Sequence, residues 1–211
     1  TKDIMETQYP YAWEYLLEHK DTLLPKSLGG NRDVQPVVSD KDEWYRYGRS
    51  QAITSLNNRD KIIVGVNRKK DDQLYLMDKK HYLIASGGTA GYVGISLKED
   101  SEYQLEYIHA WLSHPWTDWY LQSIGSDFEG GFIARGTYTL PMVPFIKLDF
   151  ANKKQKELYD QVVANTRRIG ELNEELLSKK DKATRNVLEK EKNRLIKKNE
   201  EMITKVYQQN F

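Results

Sequence analysis

The period of the apolar positions changes along the chain. Between residues 9 and 24, Tyr9, Trp13, Leu16, Leu17 and Leu24 recur near helical spacing and predict a helix. Pro10 fits its first turn, where a missing N–H costs nothing. PKSLGGNRDVQPVVSD (25–40) reads as a loop from its Gly, Pro, Asn and Asp. The period then shortens. KIIVGV (61–66) is a β-branched run, followed by QLYLM (73–77), YLIA (82–85) and GYVGISL (91–97). The links NRKKDD, DKKH and SGGTA are turn-like, so four short strands are expected as an antiparallel meander.

Helical spacing returns in EYQLEYIHAWLSH (102–114), where Leu105, Ile108, Trp111 and Leu112 share a face. Pro115 breaks in, and WTDWYLQSI (116–124) continues as a second helix. Trp111, Trp116 and Trp119 are read as core around that break. GSDFEGGFIARGTYTLPMVPF (125–145) is punctuated by glycine and reads as irregular, with one or two short strands. Residues 155–177 then place apolar side chains at 158, 162, 169, 172 and 176, with Asn165 as a polar insert. SKKDKA (178–183) breaks that seam. A second seam follows at Leu188, Leu195, Met202 and Val206, interrupted by Lys192 and Asn199. Two helices of about 22 residues, each about 33 Å long, predict an antiparallel hairpin with a lysine-rich turn. Its seams should pack on each other and on a third surface. The expected fold is therefore α+β. A small, mostly antiparallel sheet packs with helices over residues 1–150, and a long helical hairpin occupies 151–211.

Composition and charge narrow the function. At 30% charged and 11% aromatic residues, the chain is globular in character. The absence of cysteine excludes disulfides and thiolate chemistry and fits a reducing cytoplasm. No apolar run approaches the length of a membrane span. TKDIMETQYP has no signal-peptide pattern and no initiator Met, so the chain reads as a piece of a longer one. Net charge is +1 but uneven. Residues 151–211 hold 15 Lys+Arg against 10 Asp+Glu, and residues 1–150 hold 17 against 21. A phosphate-binding function in the first segment must therefore work through local basic clusters.

Catalytic patterns are missing. There is no G-x-S-x-G and no H-E-x-x-H, and His109 and His114 are five apart, off the spacing that puts two ligands on one helix face. Asp71 and Asp72 are adjacent turn residues that point apart. SGGTAG (86–91) is followed by YVGISL rather than by a lysine and a helix, so a hairpin turn is favoured over a phosphate cradle. No catalysis and no bound metal are expected of this chain.

Several stretches together carry a resemblance. YPYAWEYLLEHKDTLL (9–24), WYRYGRSQ (44–51), KIIVGV (61–66), SGGTAGYVGI (86–95), AWLSHPWTDWYLQSIGSDFEGGF (110–132) and YTLPMVPF (138–145) occur in this order. The set resembles the TaqI-like C-terminal specificity domain, which closes many adenine-specific DNA methyltransferases and fused type IIG restriction–modification enzymes. Residues 155–207 resemble, by pattern, the helical spacer that follows target recognition domains. The resemblance implies recognition of double-stranded DNA. It implies that S-adenosylmethionine, and Mg where cleavage occurs, belong to separate methyltransferase and nuclease domains. This chain has no N-P-P-Y-type motif.

Candidate DNA contacts follow from that implication. Arg49 suits a guanine acceptor pair or a phosphate, and Gln51 suits adenine. Equally, GRSQ could be a buried turn with a scaffold role. Trp44 and Tyr47 read as core. Arg68, Lys69 and Lys70 form the densest basic cluster of an acidic segment, on an expected hairpin tip. Ser86 and Thr89 flank a glycine turn that would let backbone approach DNA. Arg135, with Tyr138 nearby, is set apart from acidic neighbours by glycines and reads as a groove probe. The competing expectation is a protein-interaction module built on the hairpin, whose seams could also pair between copies of the chain.

Overall fold

The computed structural model describes residues 1–32, 43–46, 56, 58–69, 75–80, 91–128 and 130–209. The chain forms two compact units, Thr1–Gln51 and Ala52–Phe211. The base of the C-terminal hairpin supplies part of the core of the second unit.

In the first unit, the helix expected over 9–24 is broken into shorter pieces. Helices α1 (Lys2–Gln8), α2 (Pro10–Glu18) and α3 (Lys20–Leu23) meet at Tyr9 and His19, whose backbones leave the helical region. Pro10 occupies the first turn of α2. Trp13 and Trp44 are buried, with ring centroids 5.9 Å apart, and Tyr45 meets Trp13 edge-on at 5.2 Å. The Lys20 ammonium lies 5.6 Å from the Trp44 ring. Trp44 is thus core, as its pattern implied. Gly30 is required by space, because a Cβ there would stand 2.0 Å from the Leu24 carbonyl oxygen.

Among the described residues, the second unit holds two small antiparallel sheets. Strand β1 (Asp60–Gly65) lies between β3 (Tyr75–Lys79) and β4 (Tyr92–Ile95). Pairing around a central β1 replaces the expected meander; residues 82–85 lie outside the described ones. Successive β1 side chains point to opposite faces. Ile62 and Val64 enter the main core, while Ile63 meets Leu56 on the other side. Lys61 sits directly opposite Asp78 in the register, and their side chains pair at 2.7 Å with no exposure to solvent worth the name. The second sheet runs β2 (Asn67–Lys69), β6 (Phe132–Ala134), β5 (Asp127–Phe128).

Helices α4 (Leu105–Leu112) and α5 (Pro115–Ile124) follow the sheet, split at Pro115 as the sequence implies. His114 caps α5, its Nδ1 accepting from the Trp116 N–H at 3.1 Å. The aromatic load is largely spent on the core. Tyr103, Tyr107, Phe145, Phe150 and Tyr159 form a continuous ring cluster. Two of its hydroxyls hold loop backbone: Tyr159 accepts from the Gln104 N–H and Tyr103 from the Leu148 N–H, at 2.8 and 2.7 Å. Burial pushes the Tyr107 hydroxyl above its ordinary range.

The hairpin consists of α6 (Lys153–Ser178) and α7 (Lys182–Gln209). Toward its turn, Leu172, Leu176, Leu188 and Leu195 bury one another. Toward its base, Tyr159, Val162, Val163, Ile203, Val206 and Tyr207 join the core built by α4 and β1. That core is the third surface the weak seams required. The polar inserts face each other. Asn165 donates to Asn199 at 2.9 Å, and Asn199 donates to Thr166 at 3.0 Å, all three buried. A matched polar layer fixes register where leucines alone would slide.

Candidate nucleic-acid interface

Arg49, Gln51, Lys70, Ser86 and Thr89 lie outside the described residues. Arg68, Lys69, Arg135 and Tyr138 can be placed. Arg68 and Lys69 are not on a hairpin tip, because Asn67–Lys69 is a strand. Its partner β6 sets Asn67 opposite Ala134, Arg68 opposite Ile133 and Lys69 opposite Phe132. The exposed Lys69 ammonium lies 5.7 Å from the Phe132 ring. Its charge remains available to a ligand while the ring holds its stem. Tyr138 is 83% exposed and extends from the turn after Gly136.

Arg135 overturns its expectation. It is wholly buried, with one guanidinium nitrogen 2.7 Å from the Asp118 carboxylate, itself 4% exposed as a side chain. Its backbone N–H is bonded to the Val66 carbonyl at 2.6 Å, which anchors it beside β2. Asp118 also accepts from Gln122 one turn on. The glycines around Arg135 did isolate it from acidic neighbours in sequence. The tertiary fold supplies one from α5 instead. A buried, ion-paired guanidinium cannot probe a groove without leaving the fold.

Two tryptophans move the other way. Trp111 is buried and donates from Nε1 to the Tyr207 hydroxyl at 2.7 Å, but Trp116 is 45% and Trp119 68% exposed. Pro115 starts a new helix rather than bending the old one. Its buried face is taken by Thr117, Asp118 and Leu121, leaving the tryptophans outward. Trp116 borders a groove of about 480 Å³ between the start of α5 and the last turns of α7, where Lys197 and Lys205 stand.

His109 and His114 are both held by hydrogen bonds within the fold. His109 donates from Nε2 to the Tyr75 carbonyl at 2.7 Å, and His114 directs Nε2 to Glu200 O and Thr204 Oγ1 at 3.2 and 3.1 Å. Burial lowers the pKa of both. Among the described residues no cluster of acidic and histidine side chains could hold a metal ion, and no helix is long and apolar enough to cross a membrane.

The hairpin helices differ in charge. Helix α6 carries five cations and five carboxylates, and α7 carries eight cations against four carboxylates. Arg168 is engaged by Glu171, Glu175 and Glu191 at 3.2, 2.8 and 2.9 Å, and Arg167 by Glu106 at 2.9 Å. The Arg168 hydrogen bond holds Glu191 below the usual carboxylate range. This asymmetry was legible in the sequence as cations at i, i+4 spacing, but a helix read as a spacer gave no reason to single them out.

The second unit thus joins an α+β core to a helical arm whose second helix is basic. Comparison with curated proteins relates the chain to restriction–modification enzymes. One similar protein is the type II restriction enzyme and methyltransferase RM.Eco57I of Escherichia coli, 34% identical over 170 residues, or 81% of this chain. The match covers 16% of that enzyme, so the chain spans about a sixth of its length. No family model matches the chain.

Proposed function

We propose that this chain is the specificity portion of a type IIG-like restriction–modification enzyme or adenine DNA methyltransferase, recognising a sequence in double-stranded DNA. The observation that carries this reading is the extent of the similarity. Four-fifths of the chain aligns with about one-sixth of an enzyme named for both restriction and methylation. The ordered motifs from residue 9 to residue 145 give the finer reading, a TaqI-like target recognition domain. Methyl transfer, cleavage and S-adenosylmethionine binding then belong to partner domains of the parent protein, acting in the cytoplasm. Lys69, on the β2–β6 ribbon, and the exposed Tyr138 remain available for DNA contact.

The test is binding of the 211-residue chain to a randomised duplex pool at micromolar protein, titrated with salt. Salt-sensitive binding that enriches one sequence is expected. If neither this chain nor the longer protein that carries it binds duplex in a salt-dependent way, the reading fails. A second reading, a protein-docking module, is favoured by the exposed Trp116 and Trp119. It predicts that the chain binds its parent's other domains in trans and leaves DNA untouched.

A further inference from the structure

Helix α7 carries a row of exposed cations, of which Arg194 acts on Glu191 through its charge without an ion pair. Lys190, Arg194, Lys197, Lys198 and Lys205 are exposed, and none of them forms an ion pair among the described residues. At about 100° per residue they fall within an arc of about 100°, opposite the seam of Leu188, Leu195, Asn199 and Val206. Glu201 is the one carboxylate in that arc between Lys190 and Lys205. Lys190 with Arg194, and Arg194 with Lys198, are like charges at i, i+4, a spacing that destabilises an isolated helix. On α6, by contrast, Lys153, Lys156, Arg167 and Arg168 all meet carboxylates.

The row runs into a shaped surface. Lys197 and Lys205 line the groove beside Trp116, along with Glu201 and Gln208. The Trp116 ring is steadied edge-on by His114 and Tyr207, at 5.3 and 5.4 Å between centroids. It presents a fixed apolar wall next to two ammonium groups, the combination a sugar–phosphate strand requires. From Lys190 to Lys205 the row extends about 22 Å. Phosphates on one strand of a duplex advance about 3.4 Å each, so roughly six lie within that span.

We propose that the outer face of α7 tracks the backbone of duplex DNA, with Lys190, Arg194, Lys197, Lys198 and Lys205 against phosphates and Trp116 against sugar. The inference rests on the DNA-recognition reading and adds a surface to it. The hairpin is then a positioning arm rather than a spacer, and its contacts fix the unit on DNA without reading sequence.

The test compares the natural chain with Lys190→Gln/Arg194→Gln/Lys198→Gln. A control, Lys179→Gln/Lys180→Gln/Lys182→Gln, loses the same charge at the hairpin turn. All six side chains are exposed, so thermal melts should coincide. The first variant is expected to flatten the log affinity against log salt slope by about 2.7, from about 0.9 per lost phosphate contact, and to bind every duplex at least about tenfold more weakly near 0.1 M salt. The control should change far less. An unchanged slope in the first variant overturns this inference and leaves the DNA-recognition reading standing. Equal losses in both variants also overturn it, because net charge rather than this face would then set binding. A first variant that keeps DNA binding but no longer associates with the parent's other domains assigns the face to protein docking, which overturns it too. If the natural chain shows no salt-sensitive binding, the reading itself falls, and the inference with it.

Discussion

Arg135 separates two accounts of this chain, and its replacement tells them apart. Taken from its loop alone, Arg135 is a DNA probe whose loss should weaken binding and spare stability. In the fold it is an interior cation, 2.7 Å from Asp118, with its guanidinium nitrogens sealed from solvent. The approach is close but poorly aligned for a hydrogen bond, so charge attraction carries the pair. At an effective dielectric constant of about 20, unit charges about 4 Å apart attract by about 4 kcal/mol. Arg135→Met keeps much of the volume and removes the charge. It leaves the Asp118 carboxylate buried with Gln122 as its remaining side-chain donor, a loss of about 3–5 kcal/mol. For a chain of this size each kcal/mol moves Tm by about 2–4 °C. Arg135→Met should therefore lower Tm by about 6–20 °C.

The partner variant completes the test. Adding Asp118→Leu removes the stranded charge, and the double variant should melt at or above the natural Tm, since apolar replacement of a poorly bonded buried pair is neutral or favourable. Both properties are read on the same samples, by calorimetry and by duplex titration over a range of salt. The expected pattern is a large drop in Tm for the single variant, recovery in the double variant, and an unchanged salt slope in the double variant. If Arg135→Met melts within about 2 °C of the natural chain while duplex affinity collapses, the burial argument is wrong and Arg135 reaches outward.

Three further outcomes follow from the same structure. Asn199→Ala strips the Asn165 amide of its acceptor and should cost about 1–3 kcal/mol in urea unfolding; Asn165→Leu/Asn199→Leu should restore Tm but relax the helix register, visible as broadened amide signals. His109 and His114 have pKa values lowered by burial, so the unfolded chain binds their protons first. Stability should be flat above their unfolded pKa near 6.5 and fall as pH drops below it toward the folded values, by at most about 1.4 kcal/mol per pH unit for each; melts from pH 8 to 5 that show no loss below 6.5 would contradict this, and His114→Gln should flatten the curve. Gly125→Ala forces a Cβ to within 2.5 Å of Ile133 Cγ2 and 2.8 Å of two carbonyl oxygens, and should cost about 1–3 kcal/mol by calorimetry.

What the sequence revealed depended on whether the deciding interaction was local. The hairpin was legible nearly to its ends, 155–177 and 184–207 against Lys153–Ser178 and Lys182–Gln209, because a helical seam repeats within a few residues. Asn165 and Asn199 stand out as breaks in two seams from the sequence alone, and the fold joins them. The start of α5 at Pro115 was equally local. The sheet order was not, since β1 chooses β3 and β4 through pairings that no short window contains. The residues of strand β2 read as a turn for the same reason. NRK has no apolar pattern, and its strand character comes from β6, more than sixty residues away. Arg135 failed most instructively. Its glycine-rich neighbourhood speaks for flexibility and exposure, while its burial is decided by Asp118 on another element.

The same distinction governs how the charge of the chain should be read. A net value of +1 suggests little affinity for a polyanion. Yet cations held in carboxylate pairs contribute almost nothing to binding, because a phosphate would have to displace a partner already in place. Lys61, Arg135, Arg167 and Arg168 are spent in this way. Setting aside those four cations and the six carboxylates that hold them leaves the unpaired groups, which on α7 are mostly lysines on one side of the helix. At physiological ionic strength the field of an exposed charge fades over about 8 Å. Only carboxylates within about that distance of the row, such as Glu201 on the same face, cancel it at contact. Affinity for a duplex is then set by where unpaired cations line up rather than by how many the chain contains, which is why equal charge removed from α7 and from the hairpin turn should have unequal effects.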